Sequence, residues 1–163
     1  MSNANRDFSI LGDSGPKRLP KIGIVGHEAA KFTPATKAIA QIYIRNLLRE
    51  PCVVVSGHCH LGGIDIWAEE IAAELEREIE IFPPKNQAWA TGYKPRNEQI
   101  AQTSDKIVSI VVKEYPAGFK GRRFPICYHC GTKTHVKSGG CWTVKYARSL
   151  GKYGWIHEIE EPL

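Results

Sequence analysis

Four side chains in the last third of the chain have the types and spacing of a metal site. Cys127-x2-Cys130-x4-His135-x5-Cys141 supplies three thiols and an imidazole, the donor set of a closed tetrahedral zinc centre. His129 is an alternative nitrogen ligand to His135. Cys141 falls at the start of an expected helix, where a lowered thiol pKa favours metal binding or reactivity. The same residues also fit a plainer reading, in which the cysteines are buried and the histidines are polar loop groups. If an ion binds here, its expected role is to stiffen the segment. His58-Cys59-His60 forms a second cluster. Only His27 or Glu28 from the adjacent loop offers it a third ligand, as a catalytic metal site requires, and that arrangement would make the chain a metal-assisted hydrolase.

The other chemistry in the sequence belongs to glycine turns. Cys52 to Ser56 reads as a strand buried on both faces, broken by Gly57, Gly62 and Gly63 before an amphipathic helix. Ile64, Ala68, Ile71 and Leu75 share one face of that helix, leaving Glu69, Glu70, Glu74 and Glu76 to solvent. A strand that turns through glycines onto a helix start presents free N–H groups beside the positive end of the helix dipole, which suits a phosphate.

These groups must be positioned by alternating strands and helices. Lys21–Val25 is an expected first strand ending at Gly26-His27-Glu28. Thr33 and Pro34 form an N-cap and N1 pair, opening a helix with Ile39, Ile42, Tyr43 and Leu47 on its apolar side and Pro51 beyond its end. Glu78–Phe82 is a short third strand, and residues 85–94 a loop anchored by Trp89 and Tyr93. Asn97–Thr103 forms a helix leading into the strand Lys106–Val112. The segment from Tyr115 to Gly140 has no period and is too long for an idle connection. Cys141–Leu150 makes the last helix, stopped by Gly151, and Trp155–Ile159 the last strand. The expectation is one α/β domain over residues 21–163. It is a three-layer Rossmann-like fold with a mainly parallel sheet and a basic, Cys-containing insertion at 113–140. Residues 1–20 are expected to be a flexible lead or an oligomer-contacting arm. The loops after strands one, two and four should meet at the carboxyl edge, where doubly wound sheets bind ligands.

Several short motifs carry a resemblance when taken in order. They are Val55-Ser56-Gly57, Gly62-Gly63-Ile64-Asp65 and Trp67-Ala68-Glu69-Glu70, then Phe82-Pro83, Tyr93-Lys94-x-Arg96-Asn97-x-x-Ile100-Ala101 and Ser104-Asp105-x-Ile107-Val108. Lys137-Ser138-Gly139-Gly140 follows, with Thr143 and Ala147. From Lys21 to Ile159 this order resembles the SLOG superfamily of Rossmann-like domains. That group includes the DNA-processing protein A (Smf) family and the Lonely-guy phosphoribohydrolases. The resemblance implies a pocket for a nucleotide or nucleotide-derived ligand, with a sensor role among the expectations. The phosphate end would meet Gly57, Gly62, Gly63 and the loop Ser138-Gly139-Gly140, with Gly26, His27, His58, Lys137 and Thr143 nearby. Arg96 and Asn97 match the family's R-N pair: Arg96 would clamp a phosphate and Asn97 would orient a base or ribose. Asp65 either steadies the helix start or binds a ribose hydroxyl. The Lonely-guy signature P-G-G-x-G-T-x-x-E is not intact, because no acid follows Thr143 at the matching place. A nucleotide hydrolase, with His27, Glu28 or Asp65 as the acid–base group, is therefore the second reading.

Composition narrows the classes further. The chain has 163 residues, 42% apolar and 24% charged, ordinary for a soluble domain. No apolar run reaches the roughly 20 residues of a membrane span, and the N-terminus lacks a signal-peptide pattern. Five cysteines, an odd number, argue against a disulfide framework. A cytoplasmic location, no membrane partner and a homo-oligomer are expected. From Lys113 to Lys152 nine basic residues face one acid, within a chain of net charge +5, so a phosphate-bearing partner is favoured. The spacing of the cysteine cluster resembles a zinc knuckle lengthened by one residue. That makes single-stranded nucleic acid the third reading, with Trp142, Tyr128 and Phe119 as stacking platforms. No nicotinamide cofactor is expected: the G-x-G-x-x-G/A pattern around Gly23 and Gly26 is incomplete.

Overall fold

The structure is a computed structural model that describes residues 18–163. Most of the arm expected over 1–20 lies outside the described residues. Of the remainder, Arg18 pairs with Asp105 at 2.8 Å and the Pro20 carbonyl accepts from Val53 N–H.

Five strands, β1 (Lys21–Gly26), β2 (Val53–Ser56), β3 (Glu78–Ile81), β4 (Lys106–Val112) and β5 (Tyr153–Ile159), form one sheet in the order β3-β2-β1-β4-β5. Every pairing is parallel. Four helices cover the sheet: α1 (Pro34–Leu47), α2 (Ile64–Glu74), α3 (Lys94–Thr103) and α4 (Gly139–Ser149). The expected α/β architecture, with its Cys-rich segment before the last helix, is what the chain forms.

Strand alternation sorts the core into two layers. On one face Ile22 and Ile24 of β1, Val54 of β2 and Val108 and Ile110 of β4 pack with Ala40 and Ile44 of α1 and Ala68 and Ile71 of α2. On the other, Val25, Val55 and Ile107 meet Ile100 and Ala101 of α3 and Val144 and Ala147 of α4. Each fully buried Ile or Leu contributes about 1.5–3 kcal/mol, so these layers hold the sheet in register.

Several element details differ from the sequence reading. Thr33 caps α1 as expected, in a reciprocal capping box with Thr36. However, α1 is turned so that Ala40 and Ile44 face the sheet and Ile42 is left exposed. Helix α3 starts three residues early because a π-helical turn, Trp89–Tyr93, runs straight into it. Helix α4 starts at Gly139, since Ser138 accepts from Gly140 N–H and caps it there. Glu69 is not a solvent-facing acid. Its carboxylate accepts from the Ser56 hydroxyl at 2.6 Å and lies 2.8 Å from His58 Nδ1.

Candidate functional site

The winding reverses between β1 and β4: successive strands run outward from β1 to β3, then the chain returns to place β4 on the other side. A cavity of about 700 Å³ opens at this point, where an open α/β sheet offers loop and helix ends. Its floor is Val25, Gly26 and His27 at the end of β1. One wall comes from Cys59, Leu61 and Asp65 after β2, a second from Trp89, Tyr93, Arg96, Asn97 and Ile100 around α3. The third is Tyr128, His129 and the stretch from Lys137 to Gly140, with Trp142 and Thr143 of α4; Glu28 and Lys31 lie at the rim.

The first turn of α4 forms part of the third wall. Gly140 is pressed so closely on β1 that a Cβ would sit 2.8 Å from Ser109 Oγ and 3.1 Å from Gly26 N. Any larger residue there would have to push the Ser109 hydroxyl or the strand end aside. The opening N–H groups of a helix have no intrahelical acceptor and carry its positive partial charge. Thr143 lies one turn further on. Its Oγ1 is buried without any hydrogen-bond partner among the described residues, although such groups are almost always satisfied in folded proteins. Lys137 holds its ammonium over the rings of Phe124 and Tyr128, 5.0 and 5.3 Å from their centroids.

The opposite wall is aromatic and polar. Trp89 meets Trp142 edge to face at 5.1 Å, and Trp142 stacks on Tyr146 at 5.3 Å. Arg96 donates from Nε to Asn97 Oδ1 at 2.7 Å and from Nη1 to the Gly57 carbonyl, and its guanidinium lies over Tyr93. Beneath it Asp65 accepts from Cys59 N–H at 3.1 Å. Burial pushes the Asp65 carboxyl up to about 6, against the opposing pull of Arg96. Glu28 pairs with Lys31 at 2.8 Å.

Several residues singled out in the sequence lie elsewhere. Gly57, His58, Gly62 and Gly63 are absent from the cavity wall. Just as Ser138 takes the N–H groups of Gly140 and Cys141 at the start of α4, the Ile64 N–H at the start of α2 donates to the His27 carbonyl at 3.0 Å. Gly63 (φ +87°) lets that contact form, since a Cβ there would strike the same carbonyl. The helix start facing the cavity is thus that of α4, where Gly26, Lys137, Ser138, Gly139, Gly140 and Thr143 gather with Arg96 and Asn97. His27 is present but fully engaged: Nδ1 accepts from Val112 N–H at 3.0 Å, and Nε2 donates to the carbonyls of Val136 and Lys137. Burial drives its pKa down to about 3, so it is a neutral pin with no nitrogen left for acid–base work. His58 is tied to Glu69 and His60 approaches Gln87, and among the described residues His58, Cys59 and His60 do not gather into a group that could hold a metal. Phe119 packs on Tyr115 at 4.9 Å, outside the cavity wall.

The metal-type residues do converge. Among the described residues the one group of this kind is Cys127, Cys130, His135 and Cys141, whose donor atoms all lie within 4.8 Å of one another. That is close enough to hold a metal: the edge of a tetrahedral zinc–thiolate site is about 3.8 Å. His135, not His129, supplies the imidazole; its Nε2 is 3.5 Å from Cys141 Sγ and its Nδ1 2.7 Å from Glu158 Oε2. A carboxylate on the far nitrogen is the usual support of a metal-binding histidine. Burial opposes ionisation of Cys127, yet hydrogen bonds from Ser138, Cys130 and His135 prevail and bring its thiol down to about 7. Cys130 and Cys141 are pushed up by burial and by the neighbouring sulfurs, so a cation is what would let all three ionise together. Cys127 and Cys141 pack with Val111 and Ile156, which roots the cluster in the sheet.

Sequence reasoning missed Glu158 and Lys31. Nothing local marks Glu158, an acid in an alternating strand, as the partner of a histidine 23 residues away. Trp89 and Tyr93 were legible only as loop anchors. Among the described residues no helix is long and apolar enough to cross a membrane. No protein-family model matches the chain, and no curated protein matches it in sequence.

Proposed function

We propose that the cavity between β1 and β4 binds a nucleotide or nucleotide-derived molecule, and that the Cys/His cluster holds one structural zinc ion. The observation that carries the first part is Thr143, a residue of the cavity wall beside the start of α4 whose buried Oγ1 has no hydrogen-bond partner among the described residues. A phosphate seated there would accept from this hydroxyl and from the opening N–H groups of α4 that Ser138 does not hold, with Lys137 as counter-charge. Trp89 and Trp142 offer apolar faces for a base, and Arg96 keeps donor capacity beyond its two internal bonds. The motif order resembling the SLOG superfamily supports the same ligand class. Titration calorimetry with the adenosine, guanosine, cytidine and uridine 5′-monophosphates tests it. At least one should bind, at least tenfold more tightly than its nucleoside. No binding by any of the four refutes the reading.

Zinc is favoured by the three-sulfur, one-nitrogen donor set. Elemental analysis of protein prepared without chelator should find one zinc per chain, and Cys130→Ser should lose it. Metal-free wild-type protein refutes this part.

Asp65 favours a second reading, hydrolysis of the bound nucleotide. A carboxyl held near pKa 6 on the cavity wall is suited to proton transfer at neutral pH. Free base or inorganic phosphate released by the wild-type chain, and not by Asp65→Asn, would establish it.

A further inference from the structure

The metal cluster and the ligand cavity share one piece of chain. Tyr128 and His129, on the cavity wall, are the two residues between Cys127 and Cys130. Lys137, Ser138, Gly139 and Gly140, also on the wall, lie between His135 and Cys141. Apart from the packing of Cys127 and Cys141 against Val111 and Ile156 and the contact of His135 with Glu158, few ties hold this stretch to the sheet. It has no helix or strand of its own before Gly139, and its one ladder contact is the isolated bridge between Cys127 and Thr132. From the sheet it is gripped by Val136 N–H on the Val112 carbonyl and by His27 on the carbonyls of Val136 and Lys137. Each unpinned backbone residue costs about 1–2 kcal/mol to order, so a ligand meeting a loose wall would bear that cost itself.

We infer that the metal is the clasp of the ligand wall, so that nucleotide binding and metal binding are linked, with Glu158 setting the strength of the clasp through His135. This rests on the cavity reading given above. Closing four ligands on one ion fixes both short stretches that carry wall residues. It leaves the floor and the α3 wall, which belong to the sheet and its packed helices, unchanged. Linkage is reciprocal: the factor by which zinc tightens the nucleotide is the factor by which the nucleotide tightens zinc. Glu158 is a positioning residue. It stands on β5, outside the cavity wall, and holds the His135 ring with Nε2 turned toward the sulfurs.

The test uses the full chain and whichever of the four nucleoside monophosphates binds the zinc-loaded protein most tightly. Its affinity is measured by calorimetry on zinc-loaded and chelator-stripped protein, with circular dichroism on both. Glu158→Gln is then titrated across buffered free-zinc concentrations. Stripping should weaken nucleotide binding at least tenfold while the helix and strand signal remains. Glu158→Gln should bind nucleotide like wild type at saturating zinc, but need about tenfold more free zinc to reach half-maximal binding. Equal affinity with and without zinc overturns the linkage. So does global unfolding on stripping, because the metal would then support the whole domain rather than the wall. An unchanged zinc midpoint in Glu158→Gln overturns the role of Glu158. Failure of all four nucleotides on zinc-loaded protein instead overturns the cavity reading, and this inference falls with it.

Discussion

The main-chain N–H of Val112 donates to Nδ1 of His27 at 3.0 Å, tying the last residue of β4 to the turn that leaves β1. The far nitrogen of the same ring holds the returning chain at Val136 and Lys137. One neutral imidazole therefore joins two strand ends to the wall of the cavity.

This pin should fail in acid. The folded pKa of His27 is lowered from 6.5 to about 3, so its stabilisation is complete above pH 6.5 and is lost as pH falls toward 3. By pH 4.5 the loss is about 2–3 kcal/mol. Asp65, raised to about 6, titrates in the opposite sense over nearly the same window. The measure is therefore the stability difference between wild type and His27→Gln in urea, which should shrink between pH 7.5 and 4.5. A constant difference would show that His27 is not held neutral.

Arg96→Ala removes the cation facing Asp65 and leaves the Gly57 carbonyl without its donor. The penalty should be about 1–3 kcal/mol. It should be larger at pH 8 than at pH 5, because the Asp65 carboxyl is neutral below its raised pKa and has less need of Arg96. Urea midpoints at the two pH values check this, and equal penalties would count against a titrating Asp65.

Gly62 and Gly63 both have positive φ, +76° and +87°, but only at Gly63 would a Cβ meet backbone, with Ala29 N and the Glu28 carbonyl carbon each 2.6 Å away. At Gly62 the nearest atom is Ala29 Cβ at 3.4 Å. Gly62→Ala should cost about 1 kcal/mol, and Gly63→Ala at least about 2 kcal/mol more through displacement of α2. Thermal melts of the two variants side by side would reveal equal costs if the contact between α2 and the His27 turn were dispensable.

Thr143→Val removes the unpartnered hydroxyl while keeping the shape. The apo protein should be as stable as wild type, or more stable by up to about 1 kcal/mol, since no hydrogen bond is lost. Nucleotide affinity should fall about tenfold to a hundredfold, the worth of one hydrogen bond to a charged group. Loss of stability with unchanged affinity would assign the hydroxyl a structural partner instead.

Which parts of this were legible in the chain follows from the range of the forces involved. Lys106–Val112 was readable to the residue because five of its seven residues are Ile or Val, as a strand buried on both faces favours. Thr33-Pro34 announced α1 because capping is settled within four residues. The Cys/His cluster was readable because its four donors lie within 15 residues and their side-chain types alone specify the donor set. The rotation of α1 was not, because Ile42 and Ile44 are equally apolar and only the position of the sheet chooses between them.

The amino-acid order by itself therefore determined the parallel α/β scaffold, the carboxyl edge as the place where loops meet, and the four candidate metal ligands. Tertiary structure decided which helix start faces the cavity. Glycines lead into both α2 and α4, but the His27 carbonyl docks on Ile64 N–H, a contact between residues 37 positions apart, and takes that donor, leaving Asp65 as the α2 residue on the cavity wall. It also decided that His27 is a pin and not a base, and that Glu158 reaches His135. A side chain's hydrogen-bond partners and burial are set by what the fold brings beside it, and no local pattern encodes a neighbour that arrives from another strand.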